Sequence, residues 1–434
     1  MQINYCAIAL LCTLLPFTAS AQIVTWTDPS PNALTPFQNN AKTLADLAGS
    51  DIVLYSHPTQ NLQFNSSKGM RSYTGIQFNS AAIVLHTTPQ QIQNALTNYS
   101  HYVGLFPTIK KADTIQSKDA ISQIKYKVSI PTPVKILNFN ENVTLQHHYD
   151  KQKLTTLIID SPIQYGISKM EWFALDGQRT LVTITQWNDL DSSKGFLLSA
   201  ILKAMPEAKD AISYMNNAFV LEALNLRFNP KSSAKLLAAG QVATKTLSNT
   251  QYQHLTQISK QSKQPVTFVH PPSAVPYQHG NETLRFTTSY HYFNSPSNKS
   301  KQLLSPTIYQ TLFPKQVKKV ELIAGIAPLQ DAFYQLRVGL GVINIPFSLR
   351  VRFSPITDGV DMYSVGGDIK YSKTQMHIQT QGDGSVWRMT TASKVDASAP
   401  FLLRSMRSLP YHDMLPSTAI AKIIAKRAHD KLGL

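Results

Sequence analysis

Only two of the 434 residues are cysteine, and both lie within the first twelve, at Cys6 and Cys12. A chain cleaved after residue 21 has none. It then has no disulfide, no thiolate metal ligand and no thiol nucleophile, so its stability must come from a packed core. Acidic residues are scarce as well: 25 Asp and Glu stand against 41 Lys and Arg, a formal charge of +16. No two carboxylates are placed for paired acid–base work. Neither G-x-S-x-G nor H-E-x-x-H occurs, which argues against an elbow-type hydrolase or a zincin. Past residue 21 no apolar run reaches the ~20 residues that a membrane crossing needs.

What is present fits a globular protein. Hydrophobic residues are 43% and charged residues 15%, a balance that supports a core rather than disorder. The length suits two domains better than one. Residues 1–21 read as a signal peptide. An apolar run from Cys6 to Phe17 precedes Ala19-Ser20-Ala21, a small-x-small cleavage pattern before Gln22. The leading MQINY has no Lys or Arg, and Cys12 follows Leu11, which is not the small residue of a lipoprotein site. The expectation is an exported chain, periplasmic or secreted. A basic chain is attracted to anionic partners, and peripheral contact with an anionic membrane surface is one such case. Lys and Arg are dispersed without an aromatic-basic motif, so no nucleic-acid partner is expected.

The chain repeats itself. Tyr102-Val-Gly-Leu-Phe106-Pro107, followed by Lys110-Lys111, is echoed by Tyr309-Gln-Thr-Leu-Phe313-Pro314, followed by Lys318-Lys319. Three further landmarks recur in the same order: His57-Pro58 with His270-Pro271, Asp176-Gly177 with Asp383-Gly384, and Asp191 before Phe196-Leu-Leu and Pro206 with Asp396 before Phe401-Leu-Leu and Pro410. The spacings between copies are 213, 207, 207 and 204 or 205 residues. Small drifts of this sort are what loop insertions produce, so a duplicated domain is read.

Each copy has one order of elements. An extended segment comes first, Ala81 to His86 or Leu284 to Phe293, where Thr288, Tyr290 and Tyr292 alternate with Ser289, His291 and Phe293. Thr88-Pro89 then starts a helix with Ile92, Ala95, Leu96 and Tyr99 on one face, closed by Pro107. Strands follow, including Ile121 to Ile130 and Phe333 to Ile345. Met170 to Leu175 and Thr180 to Trp187 flank an Asp-Gly turn, and Lys373 to Thr380 and Val386 to Lys394 are their partners. Each copy ends in a long helix. From Glu207 to Arg227 the apolar face is Ala208, Ile212, Met215, Phe219, Ala223 and Leu226; from Ser417 to Leu432 it is Ile420, Ile423, Ile424, Ala428 and Leu432. Ser232 to Lys263 is polar and helix-compatible, and Pro265 to Gly280 reads as a linker. The expected division is 1–21 signal, 22–51 N-terminal extension, 52–230 first domain, 231–264 connector and 265–434 second domain.

This order resembles the START / polyketide cyclase-like (SRPBCC) superfamily, with its coenzyme Q-binding and polyketide-cyclase members nearest in character. The residues that carry the resemblance are Tyr99-Ser-His-Tyr102-Val-Gly-Leu-Phe106-Pro107 with Lys110-Lys111, Thr180-Leu-Val-Thr-Ile-Thr, and Asp189-Leu-Asp191 before the last helix. It covers Ala81 to Arg227 best and Leu284 to Leu432 more weakly. The resemblance implies an α+β chain of two tandem helix-grip domains, each a curved antiparallel sheet wrapped around a long C-terminal helix. It also implies a mostly apolar cavity between sheet and helix, where family members bind lipids, quinones and other hydrophobic molecules and some members cyclise or dehydrate them.

The candidate ligand-binding residues are Tyr102, Phe106, Met170, Trp172, Ile212, Met215, Phe219, Tyr309 and Phe313. Each is equally a plain core residue, since a cavity wall is also core. His147-His148-Tyr149-Asp150 is the best metal-like cluster, but on a strand the two His point to opposite faces, so a surface or edge place is expected and no metal. His291 in SYHYF is read as a satisfied core or rim histidine. No cofactor and no catalytic residue is assigned. Three functions remain open: a non-enzymatic binder or carrier of a hydrophobic small molecule or lipid, a cyclase/dehydratase-type enzyme using the same cavity, and a structural protein with filled cavities. The second copy, with Gly339, Gly341, Gly366 and Gly367, departs most from the first.

Overall fold

The protein structure, a computed structural model, describes residues 22–130, 139–194, 199, 202–203, 206, 208–230, 233–277, 280–323, 325–340 and 343–434. The segment 1–21 read as a signal, the Phe196-Leu-Leu landmark and Gly341 lie outside the described residues.

The most apolar, β-branched runs become the central strands. Ile52–Ser56, Asn79–Leu85, Val266–Val269 and Thr287–Phe293 are buried at every position, as strands covered on both faces must be. They sit in the middle of one sixteen-stranded sheet. From Ile52–Ser56 one half runs outward through Asn79–Leu85, Thr180–Asn188, Gly166–Ala174, Lys153–Asp160, Phe139–Asp150 and Ile121–Ile130 to the edge strand Ile109–Lys118. From Val266–Val269 the other half runs through Thr287–Phe293, Gly384–Lys394, Tyr371–Gln381, Gly359–Gly367, Ile343–Ile356 and Gln330–Leu340 to the edge strand Val317–Ile323. The two halves have the same strand order, and every neighbouring pair in this sheet is antiparallel.

The halves join where Ile52–Ser56 pairs with Val266–Val269, with Leu54 opposite Thr267. Those two residues are 213 apart, the same spacing as His57 and His270. Corresponding residues therefore face each other, and a pseudo-two-fold axis passes through that pair. Pro265 to Gly280 is not a linker. It holds this central strand and then Ser273–Tyr277, which forms a hairpin with Gly280–Leu284. The prolines that suggested a linker lie where they break no ladder: Pro271 and Pro272 fall between strands, and Pro276 lies beyond the two residues that pair with Lys235–Leu236.

One long helix crosses each half: Ala208–Phe228 over Ile52–Ser56, Asn79–Leu85 and Thr180–Asn188, and Leu415–Leu432 over Thr287–Phe293 and Gly384–Lys394. Each half is an antiparallel sheet packed around its own C-terminal helix, the helix-grip arrangement. The two helices also pack against each other. The expected apolar face of the first is therefore displaced. Tyr214, Ala218, Leu221 and Leu224 enter the first half's core, Ala211 and Met215 enter the second's, and Leu226 is 51% exposed. A helix with a sheet on one side and a helix on another needs two apolar faces, and a single-stripe reading falls across both.

The opposite face of the central strands is covered by helix Ala41–Ala48 and helix Asn249–Ser262, whose Leu44, Leu47, Leu255 and Ile258 pack with Val53, Tyr55, Val266 and Phe268. Ser248 and Gln251 close the second of these helices with a capping box, as Thr88 and Gln91 do for Pro89–Thr97. Among the described residues no helix is long and apolar enough to cross a membrane.

Polar bonds tie the halves together. The Tyr214 hydroxyl lies 2.7 Å from the Leu54 carbonyl and 2.9 Å from the Pro265 carbonyl. Arg285 of the second half forms a buried two-pronged pair with Glu222 of the first, both bonds 2.6 Å. Lys422, fully buried, donates to Asn79 Oδ1 at 2.7 Å and Ser56 Oγ at 3.1 Å, and lies 4.6 Å from the centre of the Tyr214 ring.

Burial pulls the Lys422 ammonium down from 10.5 to about 8, with distant Asp210 opposing the shift. Its folded value lies below its unfolded one, so wild-type stability should rise as pH goes from 8 to 10.5. Lys422→Met removes the buried charge and should stabilise the fold by about 1–3 kcal/mol at pH 7 in urea unfolding. The advantage should shrink on approaching pH 10.5. A gain that does not change with pH would contradict this.

Candidate ligand-binding site

The Leu-Phe-Pro motif is the end of a helix. Helix Pro89–Thr97 stops at Asn98, and a tight turn carries the chain through Tyr99–Leu105 into the edge strand. Gly104 takes φ +96, which other residues rarely adopt, and nothing lies within 4 Å of an added Cβ. The requirement there is conformational rather than steric. Tyr102 turns back and donates its hydroxyl to the Leu96 carbonyl at 2.8 Å, satisfying a last-turn acceptor of the helix. Tyr309 does the same to the Leu303 carbonyl at 3.0 Å. The repeated Tyr-x-x-Leu-Phe-Pro is thus a clamp on a short helical segment, used once per half.

In the first half this turn roofs an aromatic interior. Tyr102 stacks on Tyr126 with centroids 5.7 Å apart and meets Phe106 edge-on at 5.0 Å. Tyr99 stacks on His147 at 4.5 Å. His147 is bonded at both nitrogens, Nε2 to the Tyr126 hydroxyl and Nδ1 to Thr156 Oγ1, each at 2.9 Å. Deeper in, the Tyr149 ring lies parallel to Trp172 and offset from it, centroids 6.3 Å apart. Tyr214, Ala218 and Leu221 of the long helix close the other side.

His147 is only 2% exposed, so the expectation of a surface or edge histidine fails for it; His148 is half-buried. The Tyr99 turn, far away in sequence, covers the inward face of that strand. Burial lowers the His147 pKa from 6.5 to about 3, and burial pushes the Tyr99 hydroxyl up to about 12. His291 is buried as well, with Nδ1 3.2 Å from Ser259 Oγ. Among the described residues no three His, Cys, Asp or Glu side chains come together as metal ligands.

A cleft of about 740 Å³ opens beside this interior, between helix Pro89–Thr97 and the end of the long helix. Ala95, Asn98, Tyr99, Thr114, Arg227 and Phe228 are among its walls. Tyr99 belongs both to the cleft and to the inner aromatic cluster. A second cleft of the same size lies outside the grip, between helix Ala41–Ala48 and the Pro271-Pro272 corner.

The nine candidate residues fall in several places. Tyr102, Phe106, Met170 and Trp172 share the first half's core. Tyr309 and Phe313 are in the second's, where Met215 joins them. Ile212 packs with Leu190 and Leu202, and Phe219 lies 4.9 Å from Tyr411. Tyr99, Tyr126 and His147 were missed as wall residues. Tyr99 stood inside the quoted motif, and Ile124, Tyr126 and Val128 alternate along their strand, so both tyrosines had a signal. In the second half Arg427, buried, lies 4.4 Å over the Phe313 ring and donates to the Leu312 carbonyl at 3.0 Å.

No family model matches the sequence, and no curated protein matches it. Solved structures do. The di-domain ARO/CYC BexL from the BE-7585A biosynthetic pathway is 10% identical, aligned over 83% of this chain and 99% of its own, with a TM-score of 0.27. A START superfamily protein from Mycobacterium smegmatis is 13% identical over 35% of this chain and 96% of its own, TM-score 0.29. A STAR-related lipid transfer protein from Xanthomonas axonopodis is 12% identical over 38% and 94%, TM-score 0.27. TM-scores this low carry no argument, and the fold stands on its strand order and its two long helices. The chain is a doubled helix-grip.

The neutral state of His147 is testable. Its folded pKa lies below its unfolded one, so the site loses stability as pH falls from 6.5 towards 3. The assigned His147 ring resonances should stay at their neutral positions down to about pH 4. A titration midpoint near 6.5 would overturn the buried assignment.

Proposed function

We propose that this chain is a non-enzymatic binding or carrier protein for a hydrophobic small molecule or lipid, held in the first half between sheet and long helix. The observation that carries the reading is the set of aromatic rings gathered in the first half's core behind the open cleft: Tyr99, Tyr102, Tyr126, Tyr149 and Trp172. Half-buried Ile109, Val128, Leu145 and Phe228 pack along it. Apolar surface there is only partly covered, and covering it yields about 2–3 kcal/mol per ~100 Å². The mouth of the cleft is largely polar, with Gln91, Asn94, Asn98, His101 and Arg227 among its walls, and the apolar interior behind it suits a hydrophobic body.

The enzyme reading has one observation in its favour, the Tyr126–His147–Thr156 chain at the wall. A base whose pKa is held near 3 is a weak proton acceptor at neutral pH, and both ring nitrogens are already engaged. That favours carriage over cyclisation or dehydration. The filled-cavity reading is supported in the second half by Arg427 over Phe313.

Export belongs to the same proposal, supported by the apolar run from Cys6 to Phe17 and the Ala19-Ser20-Ala21 pattern. Native mass spectrometry of the protein purified from its own host tests both parts. The expected polypeptide begins at Gln22 and carries one hydrophobic molecule, released on denaturation. A bare chain would count against the carrier, and an intact residue 1 against cleavage.

The charge of +16 supports a meeting with an anionic membrane, where such a ligand enters or leaves. Co-sedimentation with phosphatidylglycerol vesicles should fall as salt rises from 50 to 500 mM, roughly, given a screening length of about 10 Å at 0.1 M. Binding indifferent to salt would sink this part.

A further inference from the structure

In the aromatic cluster of the first grip the buried ring hydroxyls and imidazole are satisfied within the protein, but one buried ring donor is not. Tyr102 bonds the Leu96 carbonyl, Tyr126 bonds His147, and His147 bonds Thr156. The indole Nε1 of Trp172, fully buried, has no hydrogen-bond partner among the described residues. Its backbone nitrogen is paired with the Gln152 carbonyl at 3.2 Å, so the vacancy is confined to the ring. Buried donors are rarely left unmade, because the loss is not recovered elsewhere. This ring sits in the cluster that Tyr99 connects to the open cleft, and half-buried Tyr149 lies parallel to it and offset.

We infer that the first grip takes a molecule with an apolar body and a neutral hydrogen-bond acceptor, a carbonyl or ether oxygen, which receives the Trp172 indole N–H. The inference rests on the carrier reading and narrows its ligand class. Indole donates and does not accept, so the complementary atom is an acceptor. It is neutral because the residues packed around Trp172 are apolar: Leu154, Met170, Val182 and Leu221 belong to the same cluster. A carboxylate placed there would be desolvated with no cation to offset it.

The second half supplies the control. Trp387, also fully buried, likewise has an unpartnered Nε1 among the described residues. It lies in the half whose Phe313 is covered by Arg427.

The probes are 2-acetylnaphthalene and 2-ethylnaphthalene, matched in shape and differing in the carbonyl. Calorimetry on the full mature chain gives the two Kd values and their ratio. Trp172→Phe should weaken the ketone about five- to tenfold more than it weakens the hydrocarbon. Trp387→Phe should leave the ratio as it is. A second readout uses wild-type protein labelled with ¹⁵N-tryptophan: the Trp172 indole N–H resonance should move downfield with the ketone and not with the hydrocarbon. An unchanged ratio in Trp172→Phe with a still indole resonance would overturn this inference and leave the carrier reading intact. A ratio that moves in Trp387→Phe instead would overturn the assignment to the first half. Failure of both probes to bind would overturn the carrier reading and this inference together.

Discussion

The rest of the molecule depends on the pairing of Ile52–Ser56 with Val266–Val269. Both strands are short, apolar and buried at every position. Left as free edges, they would offer unpaired backbone beside apolar side chains, the feature that drives aggregation. Pairing removes both edges together and fuses two eight-stranded grips into one sheet. It also brings the two long helices side by side and leaves the reverse of the central strands to be covered by helices Ala41–Ala48 and Asn249–Ser262. Two edges remain, Ile109–Lys118 and Val317–Ile323, and they carry Lys110-Lys111 and Lys318-Lys319. Lysines on an exposed edge strand oppose pairing with another chain. The repeated phrase therefore has two parts, a tyrosine clamp that ends a helical segment and a lysine pair that guards the edge after it.

Signals that depend on neighbours in sequence were legible. The Thr88-Pro89 start, strand Ile121–Ile130 and the turn at Asp176, whose Oδ1 accepts from the Gln178 and Arg179 nitrogens, appear where the local chemistry put them. So did the duplication, because four landmarks keep their order. What failed depended on partners distant in the chain. The stripe on helix Ala208–Phe228 was misread because its second partner, helix Leu415–Leu432, lies two hundred residues on. The Pro-rich corner hid a central strand because only four residues, Val266 to Val269, separate Pro265 from Pro271-Pro272 with one histidine between. His147 gave no sign of burial because its cover comes from Tyr99. For the candidate site, Tyr102, Phe106, Met170 and Trp172 were legible as inward-facing apolar positions, whereas the helix contribution was not.

The duplicated halves share a buried polar device at the seam. His57 Nε2 meets Ser80 Oγ at 2.8 Å and Ser80 meets Thr185 at 2.6 Å; His270 Nε2 meets Thr288 Oγ1 at 2.7 Å and Thr288 meets Thr390 at 3.0 Å. These chains occupy matching strands on either side of the pseudo-two-fold axis. Among the described residues only the second is extended, with His270 Nδ1 on Asp51 at 2.9 Å and Asp51 in turn on Lys245 at 2.9 Å. Gln77 and Arg285 show the same divergence. Both bond the histidine carbonyl, at 2.9 and 3.2 Å, but the arginine has donors left over and they reach Glu222. A buried charge persists only where a partner is fixed: Arg285 is held by Glu222 of the opposite half, and Asp51 by Lys245.

That rule also accounts for the inequality of the two interiors. Arg427 enters the second half from its long helix, and its guanidinium finds the Leu312 carbonyl and the Phe313 face. The clamp that roofs the second interior is thereby held from below by a side chain. In the first half Tyr99 and His147 stack beneath the equivalent clamp instead, and neither carries a charge that needs a fixed partner. Neutral aromatic rings can shift against one another at small cost, because stacking tolerates offset. A guanidinium committed to a carbonyl and a ring face cannot. The first clamp therefore rests on neutral stacked rings and the second on a fixed charge.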